Sequence, residues 1–407
     1  MHTRRHIKQL WLTFLPTAGA VMMGLLVIMM FTGQWPTRDN LYNSYVLQAQ
    51  CWLEGRLALD YNRPWLELAI YEGQYFVSFP PFPSYVMLPF VAIWGTNAPD
   101  AFVSLAFTLM GVWYAVRLCL DQRISPGRTM FWVSFLFLGT GYVFIAMNGY
   151  VWFLAQAMCF ALSLMALWHA ARGHGVVSLS AWACAVGCRP MVILYLPVLA
   201  ILLWRRQKEL EPGRSFWHWV LKRWYWCLGP LIIGGSYMVL NYLRFDNPIE
   251  FGHNYLPEFT RVETGQFNLS YLPENLRSLI RLPQWYGSDL PMSFEILNGM
   301  AFYLVNPLIV VALAAWVYGL IRNRRAPLLI TLIPLTLVYV FILCLHKTMG
   351  GWHFGNRYLL DITPWLFAGL VYWQDRKPLI TMLAVPCAAF GILLNVVGTV
   401  ATYNGWL

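Results

Sequence analysis

An aspartate at position 39, a few residues after a long apolar run, is the first side chain of this sequence placed to do chemistry. A carboxylate anchored beside a helix end is held rigidly and can accept a proton from a hydroxyl nucleophile. The same position, just ahead of Leu41, also suits an N-cap, whose side-chain oxygen accepts a backbone N–H; spacing leaves both readings open. Further on, the stretch from Ala49 to Leu57 carries Glu54 and Arg56, and the stretch from Tyr71 to Pro83 carries Tyr75. Arg189, in Cys188-Arg189-Pro190, and Arg357, just before Tyr358, each stand at the end of an apolar run. An ionisable residue in such a place is a functional hypothesis by default, and a guanidinium holds phosphate through charge-assisted hydrogen bonds. Snorkelling of the side chain to a membrane interface is the alternative. Lys347, His346 and His353 share the short segment that ends at Arg357. The two histidines lack a metal-like spacing, which points to headgroup or backbone hydrogen bonding. No glycine-rich phosphate loop, Ser-His-Asp set or His-Glu-x-x-His motif occurs, so ATPase and metalloprotease readings have no support.

The elements that must position these residues are apolar. Of 407 residues, 59% are hydrophobic, 17% aromatic and only 11% charged, whereas a soluble domain carries about 25% charged residues. Runs of about 20 apolar residues, enough to cross a bilayer as helix, recur along the whole chain. The expected fold is therefore all-α: a polytopic transmembrane helical bundle in one membrane-embedded domain. Spans are expected near 10–31, 101–119, 129–147, 151–170, 177–188, 191–203, 224–243, 299–321, 328–345, 358–373 and 379–401. The first is too long for a signal-peptide core and lacks a small-residue cleavage site, so it reads as retained. Proline disfavours a continuous helix at Arg189-Pro190, which leaves two short helices with Arg189 at their turn. The run from Tyr85 to Trp94 is too short to span and reads as re-entrant or interfacial. Of the eight cysteines only Cys51 falls in a large loop; most read as buried small hydrophobes.

The net charge of +10 does not indicate nucleic acid, because the basic residues punctuate apolar runs instead of clustering on a soluble module. With this layout 18 of the 28 Lys and Arg fall on the face that holds the N-terminus, accompanied only by the acids Asp121, Glu209, Glu211 and Asp375. The positive-inside rule makes that face cytoplasmic and the protein a multi-pass protein of the plasma (inner) membrane. Three loops then lie outside: 32–100, 244–298 and 346–357. Long loops are usually functional or disordered, and these are too rich in Trp, Tyr, Phe and Pro for disorder. They are expected to pack as amphipathic helices and turns in a roof over the bundle. Trp52, Trp65, Trp285 and Tyr286 suit a membrane interface as well as they suit sugar stacking.

An aspartate just after the first span, the Ala-x-x-x-x-x-Gly-Arg-Leu stretch ending at Leu57 and the Gly73-to-Pro81 segment together resemble the GT-C superfamily of polyprenyl-phosphate-sugar-dependent glycosyltransferases. The likeness is nearest the bacterial ArnT/PMT-like branch. Cys188-Arg189-Pro190, the run from Asn241 to Gly252 and the run from Gly350 to Tyr358 fit the same picture, so the resemblance is scattered over most of the chain. It implies a lipid-phosphate sugar donor and an acceptor hydroxyl attacked on the extracytoplasmic side, with membrane lipids around the site. Asp39 matches the acid that activates or holds the acceptor. That branch often has a second acid beside the first; here Asn40 takes its place, leaving Asp39 alone or partnered by Glu54, Asp60 or Glu67. The missing pair also weakens a case for a divalent metal, and no cofactor is implied beyond the donor. Glu54, Arg56, Tyr75, Arg189, Lys347, His353 and Arg357 are the expected substrate contacts. A transporter or flippase for a lipid-linked glycan is the competing class, and needs polar groups along a pathway through the bundle; the expected spans are nearly free of charge at mid-membrane. An O-antigen-type polymerase or ligase would share the donor chemistry and differ in transferring a whole glycan.

Overall fold

Apolar runs that cannot satisfy their backbone from water close their hydrogen bonds within the segment, and in lipid that leaves the helix as the local solution. The computed structural model describes residues 2–283, 299–322, 327–373 and 378–406. Among these, six helices are long and apolar enough to cross a membrane: Ile7–Thr32, Asp100–Asp121, Val151–Arg172, Pro190–Leu210, Trp224–Phe245 and Ile380–Tyr403. Shorter apolar helices cover Gly175–Val186, Pro307–Ile321 and Ile330–Cys344. The chain is an integral membrane protein built as a helical bundle.

Burial shows how the bundle is arranged. Val151–Arg172 is its axis, with 89% of its apolar window buried, whereas Trp224–Phe245 buries only 22% of its window. The axial helix packs against Asp100–Asp121, Gly175–Val186, Leu196–Leu210 and Thr363–Trp373. Ala155, Ala157, Ala161, Ala166 and Ala170 are all buried along it, and such small residues let helix backbones approach closely where no hydrophobic drive separates helix from lipid. The outer helices turn Leu231, Ile232, Leu243 and Leu393 outward, the reverse of a water-soluble surface.

The expected runs carry helix, with local breaks. The run expected over 129–147 is a helix Pro126–Leu138 and a single turn Tyr142–Ile145, split at Gly139-Thr140-Gly141. The run over 299–321 is split before Pro307, and that over 358–373 opens as a tight 3₁₀ stretch, Arg357–Ile362, before Thr363–Trp373. Arg189 is extended (φ −141°) ahead of Pro190, as a residue before proline prefers, so the chain turns there; of the two helices expected to be short only Gly175–Val186 is, and Pro190–Leu210 is long enough to cross. Tyr85 lies in a short helix, Phe82–Trp94, whose Phe82 N–H donates to Gly187 O at 3.0 Å.

The loops differ from expectation in one respect: they are not only helices and turns. Leu68–Tyr71 and Gln74–Val77 form an antiparallel hairpin. Its two-residue turn has Glu72 at φ 48° and Gly73 at φ 75°, the left-handed pair that a type I′ hairpin requires. The loops interlock: Val151 N–H donates to Tyr42 O at 2.9 Å, Lys347 N–H to Gln266 O at 2.9 Å and Asn268 N–H to Leu345 O at 2.9 Å. Trp285 and Tyr286 lie outside the described residues.

Candidate active site

The interlocked loops and the ends of the helices beneath them enclose a cavity of about 380 Å³, lined among others by Glu67, Trp152, Arg189, Glu258, Arg357 and Asp361. Its floor is a buried polar knot. Arg189 Nε donates to Asp361 Oδ2 at 2.8 Å, and Asp361 is 2% exposed. Gln156, on the axial helix, donates through Nε2 to Asp361 Oδ1 at 2.7 Å and to Arg357 O at 2.6 Å. Tyr339 hydroxyl reaches Asp361 Oδ2 at 3.0 Å and Tyr358 O at 3.1 Å. Arg189 is thus neutralised where it sits. Burial opposes its charge, Asp361 together with Tyr358 and Tyr339 outweighs burial, and its pKa is raised.

Arg357 is held differently. Its Nε donates to Gly350 O at 2.8 Å, in a turn where Gly350 takes φ 113°, a conformation open to glycine and little else. The side chain is 6% exposed, and among the described residues no carboxylate lies within ion-pair distance of it. Nη1 is buried without a hydrogen-bond partner. Burial lowers its pKa, and the neighbouring Arg189 charge acts in the same direction. The ring of Tyr358 lies between the two cations, 4.8 Å from Arg189 Cζ and 5.1 Å from Arg357 Cζ. A buried cation lacking a counter-ion is costly, and here it faces a cavity wide enough for an anionic headgroup.

The sequence matches no family model and no curated protein. Among solved structures, the fold is similar to the Archaeoglobus fulgidus oligosaccharyltransferase in its apo form, at 12% identity and a TM-score of 0.44. That likeness covers 94% of this chain and 56% of the other, so the chain spans little more than half the length of the protein it matches. A likeness this distant assigns neither an activity nor a site residue.

The structure divides the residues expected to bind substrate. Arg189 and Arg357 line the cavity. His353 lies behind Arg357, fully buried; its Nδ1 donates to Gly351 O at 3.0 Å, and burial pushes its pKa down to about 3. Lys347 bonds to the backbone carbonyl of Glu258 at the rim. Arg56 and Tyr75 instead line a separate cleft of about 590 Å³, between the hairpin and the helix end at Leu243 and Arg244. The cleft and the cavity share no lining residue. Glu54 and Asp60 are both ion-paired with Arg56, and neither lines the cavity.

Asp39 is exposed and is not among the residues lining the cavity. It does not cap a helix either, since the next one begins at Ser44, preceded by Asn43. Its neighbour Asn40 is the fixed one: Nδ2 bonds the Asp100 carboxylate at 2.5 Å and Gly149 O at 2.9 Å, which ties the first loop to two helix ends. The carboxylates that line the cavity are Glu67, Glu250, Glu258 and Asp361. His253 and His346 line it too, and burial lowers both pKa values, that of His253 to about 4. Among the described residues no three His, Cys, Asp or Glu side chains group closely enough to hold a metal ion.

Some of these groups had a signal in the sequence. Gln156 and Asp361 are polar residues inside apolar runs, and such residues normally face a partner within the bundle. Glu250 falls in the Asn241-to-Gly252 run already singled out, whereas His253 and Glu258 had no signal, because only the folding of one loop over another brings them to the cavity.

Proposed function

We propose that the protein is a membrane glycosyltransferase of GT-C type that transfers a sugar from a polyprenyl-phosphate donor to an acceptor at the extracytoplasmic face of the plasma membrane. The observation that carries this reading is Arg357: a buried guanidinium with no carboxylate partner among the described residues and one nitrogen unbonded, facing a cavity at the end of the helical bundle. A lipid-linked phosphate supplies the missing charge, with its sugar in the polar part of the cavity and its polyprenyl chain in the bilayer. Arg189, already paired with Asp361, contributes a second, weaker contact across the Tyr358 ring. Displacement at the anomeric carbon builds charge on the departing phosphate. Fixed donors in a water-poor site stabilise that charge more than water does.

The test is binding of undecaprenyl phosphate to the protein in lipid nanodiscs, followed by release of polyprenyl phosphate from a panel of polyprenyl-phosphate sugars. Wild type binds and consumes at least one donor, and Arg357→Met loses both. Equal binding by wild type and Arg357→Met would refute the assignment of the phosphate site. Binding without consumption of any donor, in the presence of lipid and glycan acceptors, would favour carriage of the lipid over transfer of its sugar.

A further inference from the structure

We infer that Glu67, and not Asp39, is the carboxylate that takes the proton from the acceptor hydroxyl; the inference rests on the transferase reading above. Four carboxylates line the cavity, and two are already occupied. Asp361 is bonded by Arg189, Gln156 and Tyr339. Glu250 accepts from Gly252 N–H at 2.5 Å through Oε1 and from Asn254 Nδ2 at 2.6 Å through Oε2. A base must have a free oxygen held in a fixed position, so neither qualifies. Glu258 and Glu67 are both exposed to solvent, but among the described residues nothing bonds the Glu258 carboxylate to orient it.

Glu67 meets both conditions. Trp152 Nε1 donates to its Oε2 at 3.0 Å, while Oε1 has no partner among the described residues, and the residue lines the cavity. Its main chain is pinned as well: Ser78 Oγ donates to Glu67 O at 2.9 Å, and the hairpin starts at the next residue, Leu68. The indole that orients Glu67 also lies 6.0 Å from Arg357 Cζ. One tryptophan therefore sets the carboxylate and the phosphate-binding cation on the same wall. The charged groups acting on Glu67 are Arg357, which favours the carboxylate, and Glu258, which opposes it; enclosure by the protein, the largest influence, raises its pKa.

The step balances. The acceptor oxygen bonds to the anomeric carbon as the bond from that carbon to the phosphate oxygen breaks. The electron pair of that bond leaves with the phosphate, held by Arg357 and Arg189. The acceptor proton ends on Glu67 Oε1.

The experiment compares wild type, Glu67→Gln, Glu67→Asp and Asp39→Asn in nanodiscs. Undecaprenyl phosphate affinity is measured separately from kcat/KM as a function of pH, using the donor that wild type consumes. Glu67→Gln is expected to keep its affinity for undecaprenyl phosphate and to lose about 10²–10⁴-fold in turnover. Its residual rate should lack the acid limb, the fall in rate as the base is protonated. Glu67→Asp should recover part of the rate with the limb displaced, and Asp39→Asn should keep the limb in place. Wild-type-like turnover in Glu67→Gln, or loss of the limb in Asp39→Asn instead, overturns the assignment. So does loss of lipid affinity along with turnover in Glu67→Gln, which would make Glu67 a binding group. Failure of wild type itself to bind undecaprenyl phosphate overturns the transferase reading, and Glu67 with it.

Discussion

Replacing Arg357 by methionine should barely change stability, whereas the same replacement at Arg189 should cost several kcal/mol. The two guanidiniums flank one tyrosine ring, so the contrast isolates their partners. Among the described residues the Arg357 side chain makes one hydrogen bond, Nε to Gly350 O at 2.8 Å, and a bond from a charged donor is worth about 1.5–3 kcal/mol. Against that loss stands relief from burying an unpaired cation, which also amounts to several kcal/mol. The two nearly cancel, and methionine fills much of the same volume. Arg189→Met leaves Asp361 buried with only Gln156 and Tyr339 as donors. Breaking a buried ion pair from one side costs about 3–5 kcal/mol. Removing both ends, with Arg189→Met and Asp361→Leu together, should recover most of the loss. A thiol-reactive dye can report unfolding in detergent, because Cys51, Cys119, Cys159, Cys188 and Cys344 are buried and free. The expected order of midpoints is wild type close to Arg357→Met, then the double variant, then Arg189→Met. An Arg357→Met midpoint as low as that of Arg189→Met would refute the view of Arg357 as an uncompensated cation, and the phosphate assignment built on it.

His253 and His353 have pKa values pushed down by burial to about 4 and about 3, so the folded state binds protons less readily than the unfolded chain. Their neutral-form stability is full above about pH 6.5 and is lost as pH falls toward the folded values. Thermal midpoints should drop over that window, and His353→Asn should drop less steeply; a flat profile in wild type would contradict the burial. At Gly391 an added Cβ would stand 2.5 Å from Gly139 O and 2.7 Å from Pro307 Cγ, so Gly391→Ala should destabilise by about 1–3 kcal/mol; an unchanged midpoint would place the Ile380–Tyr403 helix further from that break. In the hairpin turn, Glu72→Asn suits the positive φ better than glutamate does and should stabilise by a few tenths of a kcal/mol, measurable as slower proteolysis of the first loop.

What the sequence disclosed was whatever is recorded locally. Long apolar runs report helices because lipid allows little else, and the placements of Arg189 and Arg357 follow from where those runs end. The Arg189 turn was legible from one proline. The hairpin was legible only in part: Leu68 to Val77 is rich in β-formers around a glycine, but Glu72-Gly73 is not one of the usual two-residue turn pairs, and the aromatic content suits interfacial helices as well. The ion pair Arg189–Asp361 was not legible. Its ends are 172 positions apart in the chain, and nothing in a periodicity says which cation an acid will meet. Asp39 and Glu67 show the same limit. Both sit in the first loop and both are exposed, and only the folding of that loop brings Glu67, and not Asp39, to the cavity wall.

Gln156 has a consequence for how this protein can change over time. One amide on the axial helix donates both of its hydrogens, to Asp361 and to the Arg357 carbonyl. A glutamate there would set a second negative charge against Asp361, and a leucine would leave the carboxylate short of a donor. Neither is a neutral drift while Arg189 and Asp361 remain. Positions 156, 189, 339 and 361, which lie in four separate helical segments and turns, are therefore expected to be inherited as one unit. Related sequences should either hold all four polar residues or have exchanged them together for apolar ones, and a lineage caught with only one replaced should carry a compensating change in the same knot.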